Sequence, residues 1–385
     1  IVGLGAQRII EGDHGSLIIA AATGAGTTLF MTTGPEFLGL NLNYSMTHDT
    51  SGATAQLFRP DDNFVLERSF INGGVTDAGG AASHVAHAFE FSANDVSRFH
   101  SIGNVFEQLS RVMLKATAST SSDENVLFAF NTFRNMAAET LAANSPNGTM
   151  KGVLIIGSHS TNAIGDDLGS SAHLFGGANV EGLRVAFNYH FGKGDEIFHA
   201  EDGTSLFVAV GNTASFTNSR AGLFMSDNDE GGAYRQVTKG ALIGNVLYRA
   251  TRAGGSAGID FAPNGAGIHP AEKVVVIGNV ADGWERGLRM AEEPYRNLVT
   301  GNIFSNNDEA IQMMRPSLFV WDNLLIDNVA DIDVQSTGAM GRQMFSRTDT
   351  WTVSNPLIPA PTGSNSHVMW EGWSTEYRSI DLAVG

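Results

Sequence analysis

Residues 274–290 read VVVIGNVADGWERGLRM, and residues 298–313 read LVTGNIFSNNDEAIQM. Each segment opens on a short apolar run, passes through Gly-Asn, resumes with an apolar residue, turns, and closes on a second short apolar stretch. Neither holds the sustained i, i+3, i+4 spacing of a helix. Short β-branched and apolar runs bounded by Gly, Asn and Asp are strand signals.

Outward from these two segments the same pattern recurs. It is found in SIGNVF with Asn104, FAFNTF with Asn131, IIGSHS with Ser158, VAFNYH with Asn188, AVGNTA with Asn212, LIGNVL with Asn245, VIGNVA with Asn279, VTGNIF with Asn302 and VWDNLL with Asn323, at intervals of 21 to 34 residues. Weaker copies at LGLNLN (Asn41) and LERSFI (Ser69) start the array near residue 37. The closing stretch recurs as EIFH, GLFM, GIDF, GLRM, AIQM and DIDV, and Leu288, Ile311 and Ile332 each lie nine residues after their asparagine. Each repeat therefore holds two or three strands with fixed turns between them. Glycine, 45 of 385 residues or about 12 % against a usual share of roughly 7 %, supplies tight or left-handed corners.

Charged residues are 16 % of the chain against a usual share of roughly a quarter, which argues against long solvated helices. Hydrophobic residues are 42 %, ample for a core. The fixed LxxLxL leucines of leucine-rich repeats are absent, and a propeller blade needs roughly 40 residues. A repeat of this length, built from short strands, is one coil of a parallel β-solenoid.

Over about residues 37–335 the pattern resembles the coils of the pectin-lyase-like superfamily, which read xVxGNxFxxN…GIxL. The resemblance implies an all-β chain, a right-handed single-stranded parallel β-helix of about 10–11 coils with terminal caps. Residues 1–36 would be an N-terminal cap or first coil, 37–335 the β-helix, and 336–385 a C-terminal cap that gathers Trp351, Trp370, Trp373, Pro356, Pro359 and Pro361. Solenoid ends expose unpaired strand edges and need covering.

The superfamily includes polysaccharide lyases, glycoside hydrolases, uronate epimerases and the trimeric tailspikes of bacteriophages. The resemblance thus implies a carbohydrate-binding β-helix of the extracellular space or a virion surface, recognising and cleaving a polysaccharide, with a homotrimer as the expected assembly. Two alternatives stay open: a non-catalytic structural or adhesion β-helix of a virion fibre or cell surface, and a secreted uronate-polysaccharide lyase or epimerase. In alginate and chondroitin lyases of this fold a Lys-Ser and an Arg-His pair carry the chemistry. The corresponding positions here read Glu201-Asp202-Gly203 and Met225-Ser226-Asp227, so those roles are not carried over.

Composition narrows the partners. With 40 acidic and 23 basic residues the formal charge is −17, which repels nucleic acid and anionic membranes and leaves a neutral partner, or one held by a local basic patch. The apolar run from Leu17 to Ala22 is far short of the roughly 20 residues of a membrane span, so no membrane insertion is expected. Without cysteine there is no disulfide, thiolate metal site or cysteine nucleophile. HExxH and GxSxG are missing, and GLGAQR lacks the third glycine of a dinucleotide loop. No cofactor is required, although the DNDE run at Asp227 offers hard oxygens suited to Ca²⁺, without EF-hand spacing.

The asparagine column is expected to be structural, its stacked amides satisfying backbone at a corner. Strand alternation then gives the outward residue of each closing stretch: Glu90, Met113, Ala142, Phe175, Phe198, Phe224, Asp260, Arg289, Gln312 and Asp333. Phe175, Phe198 and Phe224 are candidates for stacking on sugar faces, with Tyr234, Arg252 and Gln312 as further substrate contacts. Asp229, Glu230, Asp260 and Arg289 are the catalytic candidates. Glycosidic hydrolysis needs two carboxyls about 5 Å or roughly 6.5–9.5 Å apart, separations that side chains on neighbouring coils about 4.8 Å apart can supply. The bland alternatives are an Asp260–Arg289 ion pair between coils and a phenylalanine column covered by a neighbouring subunit.

Overall fold

Repeated short strands joined by tight corners satisfy their backbone only by pairing each coil with those before and after it. The computed structural model has this arrangement. It describes residues 55–334 apart from 61, 74–85, 92–94, 116–119, 137–138, 145–147, 164–173, 227–235, 253, 263–270, 291–296 and 314–317, together with the strands at 9–11, 17–20, 28–31, 36–38, 41–45, 343–345, 369–373 and 376–380. No helix occurs among the described residues. The chain forms two units, Ile1–His199 and Ala200–Gly385.

In the first unit each coil contributes to three parallel sheets. The first sheet holds the strand before the corner asparagine, as in Ser97–Ile102, Ser122–Ala129, Leu154–Ile156 and Arg184–Ala186. The second holds the strand after it, as in Val105–Glu107, Thr132–Met136, His159–Ala163 and Tyr189–Lys193, and the third holds the closing stretch, as in Ala86–Phe91, Arg111–Lys115, Leu141–Asn144 and Gly176–Ala178. Parallel pairing is already present at Ile9–Glu11, which lies in register with Glu36–Leu38. The interior is aromatic: Phe64 and Phe99 stack at 5.3 Å, Phe89 meets Phe99 edge-on at 4.9 Å, and Phe106 stacks on Phe133 at 5.8 Å.

The second unit repeats the scheme. Thr238–Ile243, Glu272–Ile277 and Asn297–Thr300 lie in the first sheet, Val246–Arg249, Val280–Asp282 and Ile303–Ser305 in the second, and Ala221–Met225, Ala257–Phe261, Arg286–Met290 and Glu309–Met313 in the third. Among the described residues, antiparallel pairing is confined to the end, where Gln343–Phe345, Met369–Trp373 and Glu376–Ile380 follow one another.

The corner asparagines form the expected ladders. Asn279 Oδ1 accepts the Asn245 backbone N–H at 2.9 Å and the Asn245 side-chain amide at 2.8 Å. Asn279 Nδ2 in turn donates to the Leu242 carbonyl at 2.9 Å and to Asn302 Oδ1 at 3.0 Å. Asn302 hands the pattern on to Asn323, and Asn104 and Asn131 repeat it in the first unit. Just before each asparagine the backbone is left-handed, with φ of 60°, 65° and 63° at Gly244, Gly278 and Gly301, which is why Gly-Asn recurs. A second ladder, Asn307 to Asn328, accepts the Trp284 and Asn307 N–H groups at the next corner.

Glycine has another use in the third sheet. A Cβ on Gly258 would lie 2.5 Å from the Ala281 Cβ and 2.9 Å from the Gly287 carbonyl oxygen. The leading G of GIDF and GLRM is a packing requirement between coils.

Outside the ladders, one buried ion pair meets its own polar demand. Lys115, 1 % exposed, donates from Nζ to the Ser121 carbonyl at 2.8 Å and to Asp123 Oδ2 at 2.5 Å. Burial pushes the Asp123 carboxyl up, and Lys115 offsets part of that. His190 lies in the core beneath the second sheet, 4 % exposed. Burial pushes its imidazole down to about 4, the Lys193 backbone opposing and His159 adding to the shift. An imidazole that stays neutral when folded but takes a proton near pH 6.5 when unfolded stabilises the fold fully above pH 6.5. That contribution is lost as the pH falls towards 4, with about 3 kcal/mol at stake. Urea midpoints measured at pH 7 and pH 4.5 should therefore converge in His190→Gln relative to the parent; an unchanged gap would mean that another group drives acid unfolding.

Candidate functional site

The third sheet of the second unit carries the outward row expected from alternation. Phe224, Asp260, Arg289, Gln312 and Asp333 stand opposite one another on successive coils. Leu223, Ile259, Leu288 and Ile311, on the other pleat, are fully buried. In the first unit Glu90 and Ala142 share the expected row, but two other members of it are displaced by one residue. Leu114 pairs with Glu90 and Ala142, and Ala142 with Gly176, so Met113 and Phe175 belong to the inner pleat and have no exposed surface. Phe198 is fully buried as well, so neither Phe175 nor Phe198 is a surface for stacking sugar. Phe224 keeps its outward register but is also fully covered, with the Arg220 guanidinium 4.5 Å from its ring centroid.

Asp260 is fully buried. Arg289 Nε donates to its Oδ1 at 2.8 Å and Arg289 Nη2 binds Oδ2, a two-pronged contact that occupies both carboxyl oxygens. Burial pushes the Asp260 carboxyl up, while the hydrogen bonds and charge of Arg289, with Arg220 and Arg286, offset part of the shift. Burial works against the Arg289 charge, but Asp260 and Glu285 outweigh it and raise the guanidinium. The two groups form a clamp between coils, with the arginine side chain 19 % exposed.

Beside the clamp runs a second, more open row. Arg286 Nη2 lies 2.8 Å from Glu285 Oε1, and Arg286 Nε lies 3.5 Å from Glu309 Oε2 on the next coil. Gln312 Nε2 donates to the same Glu309 oxygen at 2.8 Å. The Glu285 and Glu309 side chains are 20 % and 28 % exposed. Arg252 pairs with Asp308 at 2.9 Å, both well exposed. The structure thus brings Asp260, Arg289 and Gln312 together on one face, and sets Arg252 in an open ion pair. Asp229, Glu230, Tyr234 and the DNDE run lie outside the described residues.

Glu309 was not singled out from sequence as a site residue. The signal was present, since Glu309 occupies the register of Arg286 one coil on and opposite charges stacked between coils attract. A face of this kind offers carboxylates, guanidinium groups and an amide about 4.8 Å apart from coil to coil, which suits a polymer rich in hydroxyl groups. Among the described residues no group of three His, Asp or Glu is placed to hold a metal ion, and no helix is long and apolar enough to cross a membrane.

No protein-family pattern and no curated protein sequence matches the chain. Solved structures do. Tailspike protein 3 of bacteriophage CBA120 superposes with a TM-score of 0.50 at 12 % identity over 97 % of this chain, which spans 64 % of that protein. PfbA, a surface adhesin of Streptococcus pneumoniae, gives 0.46 at 13 % identity over 90 % of this chain and 91 % of its own. The tailspike of E. coli bacteriophage HK620, solved with a hexasaccharide, gives 0.43 at 11 % identity over 90 % of this chain and 57 % of its own. At these identities the likeness concerns the fold. In fold, the chain is a parallel β-helix of the kind found in bacteriophage tailspikes.

Proposed function

We propose that this chain is a carbohydrate-binding β-helix that recognises and cleaves an extracellular or surface polysaccharide along the third sheet of its second unit. The observation that carries the proposal is the open row in which Glu285 and Glu309 meet the one Arg286 guanidinium from successive coils, with the Gln312 amide beside them. Sugar hydroxyls both donate and accept, so alternating carboxylate, guanidinium and amide groups bind them without a net-charge preference. Cleavage would draw its two carboxyls from Glu285, Glu309 and the turn acids Asp229 and Glu230. No cofactor enters this chemistry; Ca²⁺ at the DNDE run is a structural option within it. The setting is the cell exterior or a virion surface. The assembly is a homotrimer, whose seam would cover the exposed Ile243, Ile277 and Leu298.

A second reading has its own support. Asp260, the carboxyl best placed by register, is sealed and held at both oxygens by Arg289, which favours binding without cleavage, as in an adhesin. Incubation with neutral and uronic-acid polysaccharides, with reducing ends and unsaturated products both read, separates the two. New reducing ends that disappear in Glu309→Gln support hydrolysis at this row, and unsaturated products point to a lyase. Binding with no product from any polymer leaves the adhesin reading.

A further inference from the structure

Tyr248 stands exposed in the second unit, but exposed aromatic side chains gather elsewhere, on the second sheet of the first unit and the corner leading into it. Thr132, His159 and Tyr189 form one outward row there, and Arg134, Thr161 and Phe191 the next. Tyr189 and Phe191 are 42 % and 52 % exposed, and the His159 ring packs 5.1 Å from that of Tyr189. Lys193 is exposed beyond Phe191 on the same strand.

The corner leading into this sheet adds two more rings. Phe130 and Phe187 are 64 % and 63 % exposed, and their backbones are left-handed, with φ of 56° and 55°. They take the place that Gly103 and Gly157 hold in the neighbouring coils, each the residue just before the corner Asn or Ser. Glycine is at ease in that conformation, whereas a bulky residue there is strained. The Phe130 ring also lies across Gly157, where a Cβ would come within 2.6 Å of it. The chain therefore accepts strain at two corners in order to hold two rings in water, the reverse of what folding alone favours.

Charge marks the face as well. On these three strands the outward charged side chains are Arg134 and Lys193, with no carboxylate among them, in a chain with 40 acidic and 23 basic residues. Glu107 stands at the foot of the Arg134 row, one coil earlier. Phe130 and Phe187 are two coils apart, about 9.6 Å, on the order of the repeat of a disaccharide.

We propose that this face is a second saccharide site, separate from the row in the second unit, and that it takes an anionic polysaccharide. Pyranose rings stack on the four aromatic side chains, hydroxyls meet Thr161 and His159, and the polymer's carboxylates meet Arg134 and Lys193. The site shares no residue with the Glu285–Arg286–Glu309 row and stands whether or not that row binds sugar.

Affinity electrophoresis of the full chain through gels holding polygalacturonate, alginate or dextran tests it. Retardation by at least one uronate polymer, and less by dextran, is expected despite the chain's net negative charge. Tyr189→Ala with Phe191→Ala should weaken retardation at least about tenfold, the usual effect of removing central aromatic contacts. Phe130→Gly with Phe187→Gly should weaken it comparably while holding or raising the thermal midpoint, which separates loss of the rings from loss of the fold. Arg134→Ala should weaken binding and flatten its dependence on salt. No retardation by either uronate polymer, equal retardation by dextran, or full binding without the rings would overturn the proposal. So would an oligomer in the parent that dissociates in Tyr189→Ala/Phe191→Ala, because the face would then be a contact between copies.

Discussion

Asn279→Ala is expected to lower the stability of the second unit by about 3–5 kcal/mol, since it strands the buried Asn245 N–H and Leu242 carbonyl and each lost partner costs roughly 1–3 kcal/mol. Both groups lie inside the solenoid wall, where the asparagine supplies their hydrogen bonds at 2.9 Å. Asn279→Ser should recover part of the loss, because Ser158 fills the same column in the first unit and its Oγ accepts the Asn131 N–H at 3.3 Å. Urea titrations check both variants: the midpoint should fall in the order parent, Ser, Ala at constant m-value. An Ala variant as stable as the parent would mean that the ladder follows from coil stacking and contributes little to it.

The second large effect belongs to the clamp. Asp260→Ala leaves the mostly buried Arg289 guanidinium without its hydrogen-bonded counter-charge, with Glu285 the remaining acid acting on it, a loss of about 3–5 kcal/mol for a pair of this kind. Removing both charges with volume kept, as in Asp260→Leu/Arg289→Met, should recover most of it, since a buried ion pair is often no better than apolar packing. The double-mutant cycle, read from thermal or urea midpoints, gives the coupling directly. A strong coupling together with unchanged polysaccharide handling by the double variant assigns the pair to the fold. A stable Asp260→Ala variant with lost cleavage would instead return Asp260 to the catalytic role that its register first suggested.

The fold was legible because its geometric demands fall on single residues. A left-handed corner followed by a buried carbonyl and N–H needing partners selects Gly-Asn, and the need recurs in every coil, so LIGNVL, VIGNVA and VTGNIF align on inspection. Phase within the third sheet was less legible. Inner and outer positions of Ala221–Met225 are all buried, as are those of Phe198–Ala200, so alternation of hydrophobicity carries no phase there, and a slip of one residue exchanges the two faces. That slip put Met113, Phe175 and Phe198 outside when they are core.

The Asp260–Arg289 contact followed from register alone, but its burial did not, because alternation tells which pleat a residue is on and not what covers it. The exposed rings had a local signal. In FAFNTF and VAFNYH a phenylalanine stands where other coils place glycine, and a bulky residue at a left-handed position is a departure that packing does not explain.

Binding of the full chain to a polysaccharide panel, compared with that of Arg286→Ala, is the most direct measurement. Arg286 touches both Glu285 and Glu309, and its side chain is 17 % exposed. On at least one polymer the dissociation constant should rise tenfold or more in the variant, with the thermal midpoint little changed. No polymer bound by the parent, or equal binding by parent and variant across the panel, would contradict carbohydrate recognition at this row.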